Sequence, residues 1–279
     1  MKLADASAED GQQRREARTE IVRESGGIVP TKRKAIAVLT PTLGQISMWW
    51  TVGLLDLVWP MNTSRAFMPL VDQRGDNIGE TRNRLVKMVL DSEQATNVEI
   101  EYVMWLDDDV IIQRPVLLAL LSHDRDIASG VYFSKTDHAE PLIFSGPGSG
   151  SLKFKPDEIF EAWGWSNGLC VIKTAVYKRM MDELDLGVDQ YGNPCFYKQP
   201  DFGVNEQGNL QLGGTEDFHF FENCSKLGYR PIIDCRKHAF GFHYDAEAKT
   251  AYPKPQWQQF LRREPIVWPK PEGGEVVWA

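Results

Sequence analysis

The chain has 279 residues, of which 42% are hydrophobic and 25% charged, and its 31 Lys and Arg against 39 Asp and Glu give a formal net charge of −8. This is the composition of a globular protein, neither disordered nor membrane-embedded. No apolar stretch approaches the ~20 residues of a membrane helix, so we expect no membrane span. The acidic balance disfavours broad binding of nucleic acid, which depends on clustered Lys and Arg.

The sequence shows no pattern typical of a targeting signal or of metal-binding or paired cysteines. The first 20 residues lack the apolar segment of a secretory signal, so we expect a cytoplasmic, soluble protein. The four cysteines form no C-x-x-C pair, and the histidines do not alternate with them at zinc-ligand spacing. Reduced thiols in a reducing compartment are therefore expected.

Composition divides the chain into three parts. Residues 1–34 are rich in charged side chains and poor in large apolar ones, which predicts a flexible N-terminal tail. Residues 35–245 alternate between strand-like and helix-like apolar patterns. Residues 246–279 form a Pro/Trp-rich C-terminal extension, and the part after Tyr252 is expected to pack as an extended strap.

The middle part predicts strands separated by helices. The predicted elements are a strand at 35–41, a helix at 79–92, a strand at 100–106, a helix beginning at Pro115, a strand at 126–133, a strand at 169–172, a helix capped by Thr174, a helix at 215–227 and a strand at 230–235. The segment 134–157 is too irregular to be core. This alternation predicts a layered α/β fold, with a mixed, mostly parallel sheet flanked by helices.

Three aspartates, Asp107, Asp108 and Asp109, directly follow the apolar strand YVMWL. In extended backbone the first and third share a face, and ligands of open α/β sheets bind at the carboxyl ends of strands. Adjacent carboxylates repel each other, and a divalent cation with oxygen ligands, Mg²⁺ or Mn²⁺, removes the conflict. The alternative is a solvated acidic turn before the next helix. The triplet alone does not decide between them.

Two arginines, Arg82 and Arg84, lie near the start of the predicted helix at 79–92, where the helix dipole disfavours cations. A bound anion such as a diphosphate would account for that position. The alternative is a surface ion pair between Arg82 and Glu80 or Asp76.

Further candidate residues come from two later segments. Glu216 and Asp217 begin a helix in GTEDFHFF, where the dipole alone favours acids, although one of them could also act as a general base. In HAFGFHY, His243, and less so His238, could complete a metal site, because imidazole binds Mn²⁺. A structural histidine is the alternative.

These segments together resemble the GT-A glycosyltransferases, which transfer sugar from a nucleotide-diphosphate donor. The matching segments, in the family's order, are TPT at 40–42, GETRNRLVKMVL at 79–90, YVMWLDDDVIIQRPVLLALL at 102–121, DIASGVYF at 126–133, WGWSNGLCVIKTAVYKRM at 163–180, TEDFHFFENCSKLGYRPIIDC at 215–235 and GFH at 241–243. Each motif is weak alone, but their common order is specific. The resemblance implies that residues 35–245 are one GT-A (Rossmann-like) catalytic domain, with a nucleotide-sugar-binding half at 35–133 and an acceptor half at 134–245.

The resemblance also implies roles for single residues. The metal, Mn²⁺ or Mg²⁺, would be held by Asp107, Asp109 and His243, and Asp217, or less readily Glu216, would be the catalytic base. Donor contacts would come from Thr40, Pro41, Thr42, Asp76, Arg82, Asp107 and Asp108. Trp163, Trp165 and Asn167 would form the wall that holds the sugar or acceptor, with core packing as the alternative for the tryptophans.

The implied activity is that of a hexosyl- or pentosyltransferase. UDP-sugars are favoured over GDP-sugars, and a single displacement would invert the anomeric centre, although some relatives with a similar helix and W-L-D-x-D strand are retaining mannosyltransferases. The acceptor is open among glycans, proteins and hydroxymethylated DNA bases. A non-catalytic sugar- or metal-binding module is the main alternative, and a haloacid-type phosphohydrolase a weaker one.

Overall fold

The computed structural model describes residues 33–42, 44, 46–58, 66–73, 77–113, 115–136, 138–198, 203–204, 210–211 and 215–265. The predicted N-terminal tail lies almost wholly outside these residues, as do Asp76 and positions 266–279 of the C-terminal extension. Among the described residues, no helix combines the length and apolar character that crossing a bilayer requires.

The strands of the described residues form three sheets. They are β1 (Arg33–Thr42), β2 (Ala66–Gln73), β3 (Val98–Leu106), β4 (Val110–Ile112), β5 (Ile127–Ser129), β6 (Ile159–Glu161), β7 (Leu169–Lys173), β8 (Gly203–Val204), β9 (Leu210–Gln211), β10 (Ile232–Asp234), β11 (Gly241–Asp245) and β12 (Thr250–Tyr252). The main sheet has the order β2-β1-β3-β7-β5-β10-β6, and the smaller sheets are β12-β11-β4 and β8-β9.

The main sheet is mixed in direction. β1 pairs with β2 in parallel, and β10 pairs with β5 in parallel. β7 runs antiparallel to both β3 and β5, so β3, β5 and β10 share one direction, while β6 is an antiparallel edge strand. The predicted α/β class with a mixed, mostly parallel sheet flanked by helices is confirmed.

The described residues contain six α-helices. They are α1 (Met48–Val58), α2 (Ile78–Ala95), α3 (Val116–Leu121), α4 (Thr174–Glu183), α5 (Glu216–Lys226) and α6 (Lys254–Leu261), with a 3₁₀ turn at Lys237–Ala239. Asn77 caps α2 by accepting the Glu80 N–H. The buried face of α2 includes Leu85, Val86 and Val89.

The two faces of β3 belong to two apolar clusters. Val103 and Trp105 pack with the α2 side of the core, whereas Tyr102, Met104 and Leu106 pack with the α1 and α3 side. This alternation follows from the period of two in an extended strand. Burial on both faces makes β3 a rigid support for the residues that follow it.

Two local predictions are wrong. Thr174 is the first residue of α4 and not its cap, because its hydroxyl donates to the Ile100 carbonyl and Lys173 precedes the helix without a side-chain cap. The strand predicted at 126–133 is limited to β5, with isolated bridges at Val131 and Phe133.

The strap predicted after Tyr252 is also wrong. β12 pairs with β11, and α6 follows with a proline in its first turn, a position that a helix tolerates. Trp257 is buried and contacts Trp49 of α1 and Phe242 of β11. The extension therefore contributes to the core as far as α6. The four cysteines are free and buried, as expected for reduced thiols.

Candidate active site

Three carboxylates from distant parts of the chain meet around Arg82, which is only 1% exposed. Its Nη2 lies 3.1 and 3.2 Å from the two carboxylate oxygens of Asp107 at the end of β3. Its Nε lies 3.4 Å from Glu216 and 3.7 Å from Asp217, both in the first turn of α5. One cation thus balances three carboxylates, and we call these four residues the Arg82 cluster.

Two aromatic rings pack against the Arg82 guanidinium. The guanidinium carbon lies 4.9 Å from the ring centroid of Trp105 and 5.9 Å from that of Tyr197. Burial lowers the pKa of Arg82, but Asp107, Asp217 and Glu216 outweigh it and raise this pKa well above its usual value. Arg82 is therefore always charged and lies beneath the carboxylates. It pairs with them and not with Glu80 on the surface, and it can influence a donor only through them.

Asp107 is fixed through its backbone as well as its side chain. Its N–H donates to the Gly168 carbonyl at 3.1 Å, and its own carbonyl accepts from Nε1 of Trp50 in α1 at 2.9 Å. Burial raises the pKa of Asp107 and Arg82 opposes this, with a net upward shift. The side chain remains 19% exposed, so one edge of the carboxylate can meet a ligand.

Gly168 makes room for this carboxylate. A Cβ built at this position would overlap the Asp107 carboxylate and lie 2.8 Å from the Tyr132 hydroxyl. We expect Gly168→Ala to displace Asp107 from Arg82 and to lower stability by about 1–3 kcal/mol, as overpacking does. Urea unfolding would measure this loss of stability. Gly150→Ala is the matched control, because a Cβ there meets nothing within 4 Å; equal effects of the two substitutions would contradict the argument.

The first turn of α5 presents its two acids differently. The side chain of Glu216 is 8% exposed and that of Asp217 is 22% exposed. Asn167, which precedes β7, donates from Nδ2 to Oδ1 of Asp217 at 2.7 Å. Burial and the neighbouring Glu216 raise the pKa of Asp217, and Arg82 only partly offsets them. Asp217 is thus an oriented, accessible carboxylate that holds protons more readily than usual, which suits a general base.

Asp109 lies beside a histidine and a lysine. Because β11 pairs antiparallel with β4, His243 stands opposite Val110 and its Nε2 is 3.4 Å from Oδ2 of Asp109. Lys135 Nζ is 2.6 Å from the same oxygen. Burial raises the pKa of Asp109, but His243 and Lys135 outweigh it and hold this pKa well below the usual range. Asp109 is therefore ionised at any working pH.

The side chains around Asp109 include some of the ligands that a divalent cation needs. Nδ1 of His243 lies 2.8 Å from the Phe133 carbonyl, so the Nδ1–H tautomer donates there and leaves Nε2 to face Asp109, the usual arrangement of a metal-binding imidazole. Asp107, the third predicted ligand, is bound to Arg82 instead. Within the described ranges, no three His, Cys, Asp or Glu side chains are grouped as a cation site. Asp109 and His243 are therefore the two side chains that could bind Mn²⁺ or Mg²⁺ directly.

The remaining donor-side candidates lie at strand ends. Thr40, Pro41 and Thr42 end β1 and are buried, and the Thr42 hydroxyl accepts the Gly44 N–H at 2.9 Å. Asp108 is half-buried in the turn between β3 and β4. Their contacts with a nucleotide stay predictions, and Asp76 lies outside the described residues.

The predicted sugar wall is divided between the site and the core. Asn167 reaches Asp217, but Trp165 is 1% exposed and packs on Phe220 and Phe221, so its ring faces are not available for stacking. This matches the packing alternative. Trp163 packs on Phe218 and also lines a cavity of about 620 Å³ near β6, together with Lys153, Phe160 and Arg230.

Two site residues were not predicted from the sequence. Tyr132 accepts the Gly168 N–H at 3.3 Å and packs edge-on against the His243 ring, so it joins the Arg82 cluster to the Asp109 region. Lys135 follows the segment 126–133 that resembled the family's strand, but a single lysine in a loop carries no pattern. Only the chain path shows that it reaches Asp109.

No protein-family model and no curated protein matches the sequence. Two solved structures resemble the chain in coarse fold. One is a glycosyltransferase involved in glycosylation of the major capsid of PBCV-1, with 12% identity and a TM-score of 0.30, covering 57% of this chain and 72% of that one. The other is a putative glucose-1-phosphate thymidylyltransferase from Bacillus anthracis, with 10% identity and a TM-score of 0.36, covering 85% and 98%. Neither likeness assigns a function, which has to come from the residues of the site.

Proposed function

We propose that this protein is a glycosyltransferase that moves a sugar from a nucleotide-diphosphate donor to an acceptor hydroxyl. The observation that carries the proposal is the Arg82 cluster. Arg82, Asp107 and the pair Glu216–Asp217 lie far apart in sequence, yet one buried guanidinium gathers all three carboxylates. Such a concentration of buried charge is costly for folding, which supports a functional role.

The donor side of the proposal rests on the strand-end aspartates. Asp107, held by Arg82, would accept hydrogen bonds from ribose hydroxyls. Asp109 and His243 would hold Mn²⁺ or Mg²⁺, and the bound cation would neutralise the diphosphate and favour departure of the nucleotide. Thr40, Pro41, Thr42 and Asp108 would contact the nucleotide, with UDP favoured over GDP.

The acceptor side rests on Asp217. In a single displacement, the acceptor O–H gives its proton to Asp217 while its oxygen bonds to the anomeric carbon. The bond from that carbon to the diphosphate breaks, and the nucleotide leaves with the electron pair, which inverts the anomeric centre. Asn167 binds one carboxylate oxygen and leaves the other for the proton. The raised pKa of Asp217 makes it a better proton acceptor than an ordinary aspartate.

The alternatives make different demands on the same residues. A haloacid-type phosphohydrolase would have its D-x-D at the end of the first strand, but β1, α1, β2 and α2 all precede β3 here. A non-catalytic sugar- or metal-binding module would bind the donor and leave it intact.

A thermal-shift screen of UDP-, GDP- and CMP-sugars with and without Mn²⁺ tests donor binding. We expect one nucleotide to stabilise the protein only when metal is present, by about 2.7 kcal/mol at a hundredfold excess over its Kd. Asp109→Ala should remove the metal-dependent part of the shift, whereas Asp182→Ala, at an exposed position of α4, should keep it. The absence of a shift with every nucleotide sugar would contradict donor binding.

A further inference from the structure

Lys135 is the cation that pairs with the Asp109 carboxylate. Its Nζ lies 2.6 Å from Oδ2, and this is the oxygen that His243 Nε2 approaches at 3.4 Å. The two side chains of the ion pair are about one-third exposed, at 32% for Lys135 and 35% for Asp109. The pair is therefore open to exchange with solutes, unlike the buried pair of Arg82 and Asp107.

The backbone around Lys135 is well anchored. The Ser134 N–H donates to the Glu140 carbonyl at 2.8 Å, and the Glu140 N–H donates back to the Ser134 hydroxyl at 2.9 Å. Phe133, two residues before Lys135, supplies the carbonyl that orients His243. One short segment thus orients the imidazole and carries the ammonium, which is attached through a flexible four-carbon side chain.

An ammonium and a divalent ion compete for this oxygen. Asp109 and His243 would hold the metal where the ammonium now lies, so the ammonium opposes metal binding by its volume and by charge repulsion. A displaced ammonium on a flexible stem needs a new anionic partner. A nucleotide diphosphate at the same place would bring several negative oxygens.

We propose that Lys135 is the resident counter-cation of Asp109, that a divalent metal displaces it, and that the displaced ammonium pairs with a phosphate of the nucleotide. The phosphate part rests on the proposed function, whereas the exchange of cations at Asp109 does not. Because the metal has to displace the ammonium, the metal alone binds weakly. A bound nucleotide gives the displaced ammonium a new anionic partner, so metal and nucleotide bind cooperatively.

Mn²⁺ titration of the full-length protein, followed by electron paramagnetic resonance without nucleotide, tests the exchange. We expect Lys135→Met to bind Mn²⁺ about fivefold to tenfold more tightly than wild type, because the ion pair and the repulsion are both removed. At saturating Mn²⁺, binding of UDP to Lys135→Met should be about threefold to tenfold weaker than to wild type, because no displaced ammonium is left to pair with a phosphate. Lys178→Met is the matched control, because Lys178 also pairs with a carboxylate, Glu93, at 2.6 Å, and it should change neither affinity.

A second substitution locates the metal. Adding Asp109→Asn to Lys135→Met should abolish the tightened Mn²⁺ binding, while thermal unfolding checks that each variant is folded. Equal or weaker Mn²⁺ affinity in Lys135→Met, or no binding in either protein, would overturn the exchange. Tighter Mn²⁺ binding with unchanged UDP affinity would overturn the phosphate contact. Because the Mn²⁺ titration uses no donor, failure of the proposed glycosyltransferase activity would be seen separately in the nucleotide-sugar screen.

Discussion

Asp217→Asn is expected to lower the release of nucleoside diphosphate from the donor by about 10²- to 10⁴-fold, the usual contribution of a general base. The substitution keeps the shape of the side chain and an oxygen that can accept from Nδ2 of Asn167, a bond of 2.7 Å in the wild type. It removes the negative charge of the side chain and, with it, the ability to take a proton. Donor affinity should therefore change little, because the strand-end residues proposed to bind the donor are unaltered.

The same substitution should stabilise the protein at alkaline pH. Burial and Glu216 raise the pKa of Asp217 to about 8, so the folded wild type binds more protons than the unfolded chain between the ordinary carboxyl pKa and this value. Wild-type stability therefore falls as pH rises through this window, and the Asn variant lacks that loss. In metal-free buffer, the Tm difference between the variant and wild type should grow by at least about 2–4 °C from pH 5 to pH 9.

Glu222→Gln is the control for both measurements, because Glu222 is exposed on the same helix. It should leave nucleotide release and the pH dependence of Tm unchanged. If Asp217→Asn retained wild-type turnover, another group would have to be the base. If its Tm difference were independent of pH, the environment assigned to Asp217 would be wrong.

Arg82→Met is expected to destabilise the fold by about 3–5 kcal/mol at pH 8, because it leaves the carboxylates of Asp107, Glu216 and Asp217 without their common cation. Methionine keeps much of the volume between Trp105 and Tyr197, so the loss is mainly electrostatic. Urea unfolding at fixed pH would measure it. Nucleotide binding should weaken as well, because Asp107 loses the partner of both its oxygens.

The pH dependence separates lost charge from lost packing. Without Arg82, the pKa values of Asp107 and Asp217 in the folded protein rise further above those of the unfolded chain. The variant then gains stability as pH falls, and the gap to wild type should narrow between pH 8 and pH 5. Arg179→Met is the control, because Arg179 forms an exposed pair with Glu183 at 2.7 Å and should cost little at any pH. A gap as large at pH 5 as at pH 8 would indicate lost packing instead.

Sequence patterns predicted the sheet and brought much of the site together for a physical reason. Asp107 and Asp109 follow an apolar strand, and the ends of strands and the starts of helices meet at one edge of an α/β sheet. The predicted helix and strand around Arg82 and Asp107 therefore lead to their proximity. The sequence pattern did not predict that Arg82 lies under the carboxylates. This position depends on the packing of the guanidinium against Trp105 and Tyr197.

Other features depend on long-range packing that local patterns do not encode. Lys135 reaches Asp109 only because the chain turns back after Val131 and Phe133. Trp49 of the apolar helix α1 is covered by Trp257 of α6. This contact stabilises a helix in a Pro-rich segment that was expected to be extended. Trp165 became core because Phe220 and Phe221 of α5 cover it.

The proposed function requires that the Arg82 cluster and Asp109 together promote cleavage of a nucleotide-sugar bond. The most direct test is release of nucleoside diphosphate from the donor found by thermal shift, measured with and without Mn²⁺ for wild type, Asp109→Ala and Asp217→Asn. We predict Mn²⁺-dependent release by wild type and its loss in both variants. Donor binding by wild type without any release, or release that both variants retain, would contradict the claim.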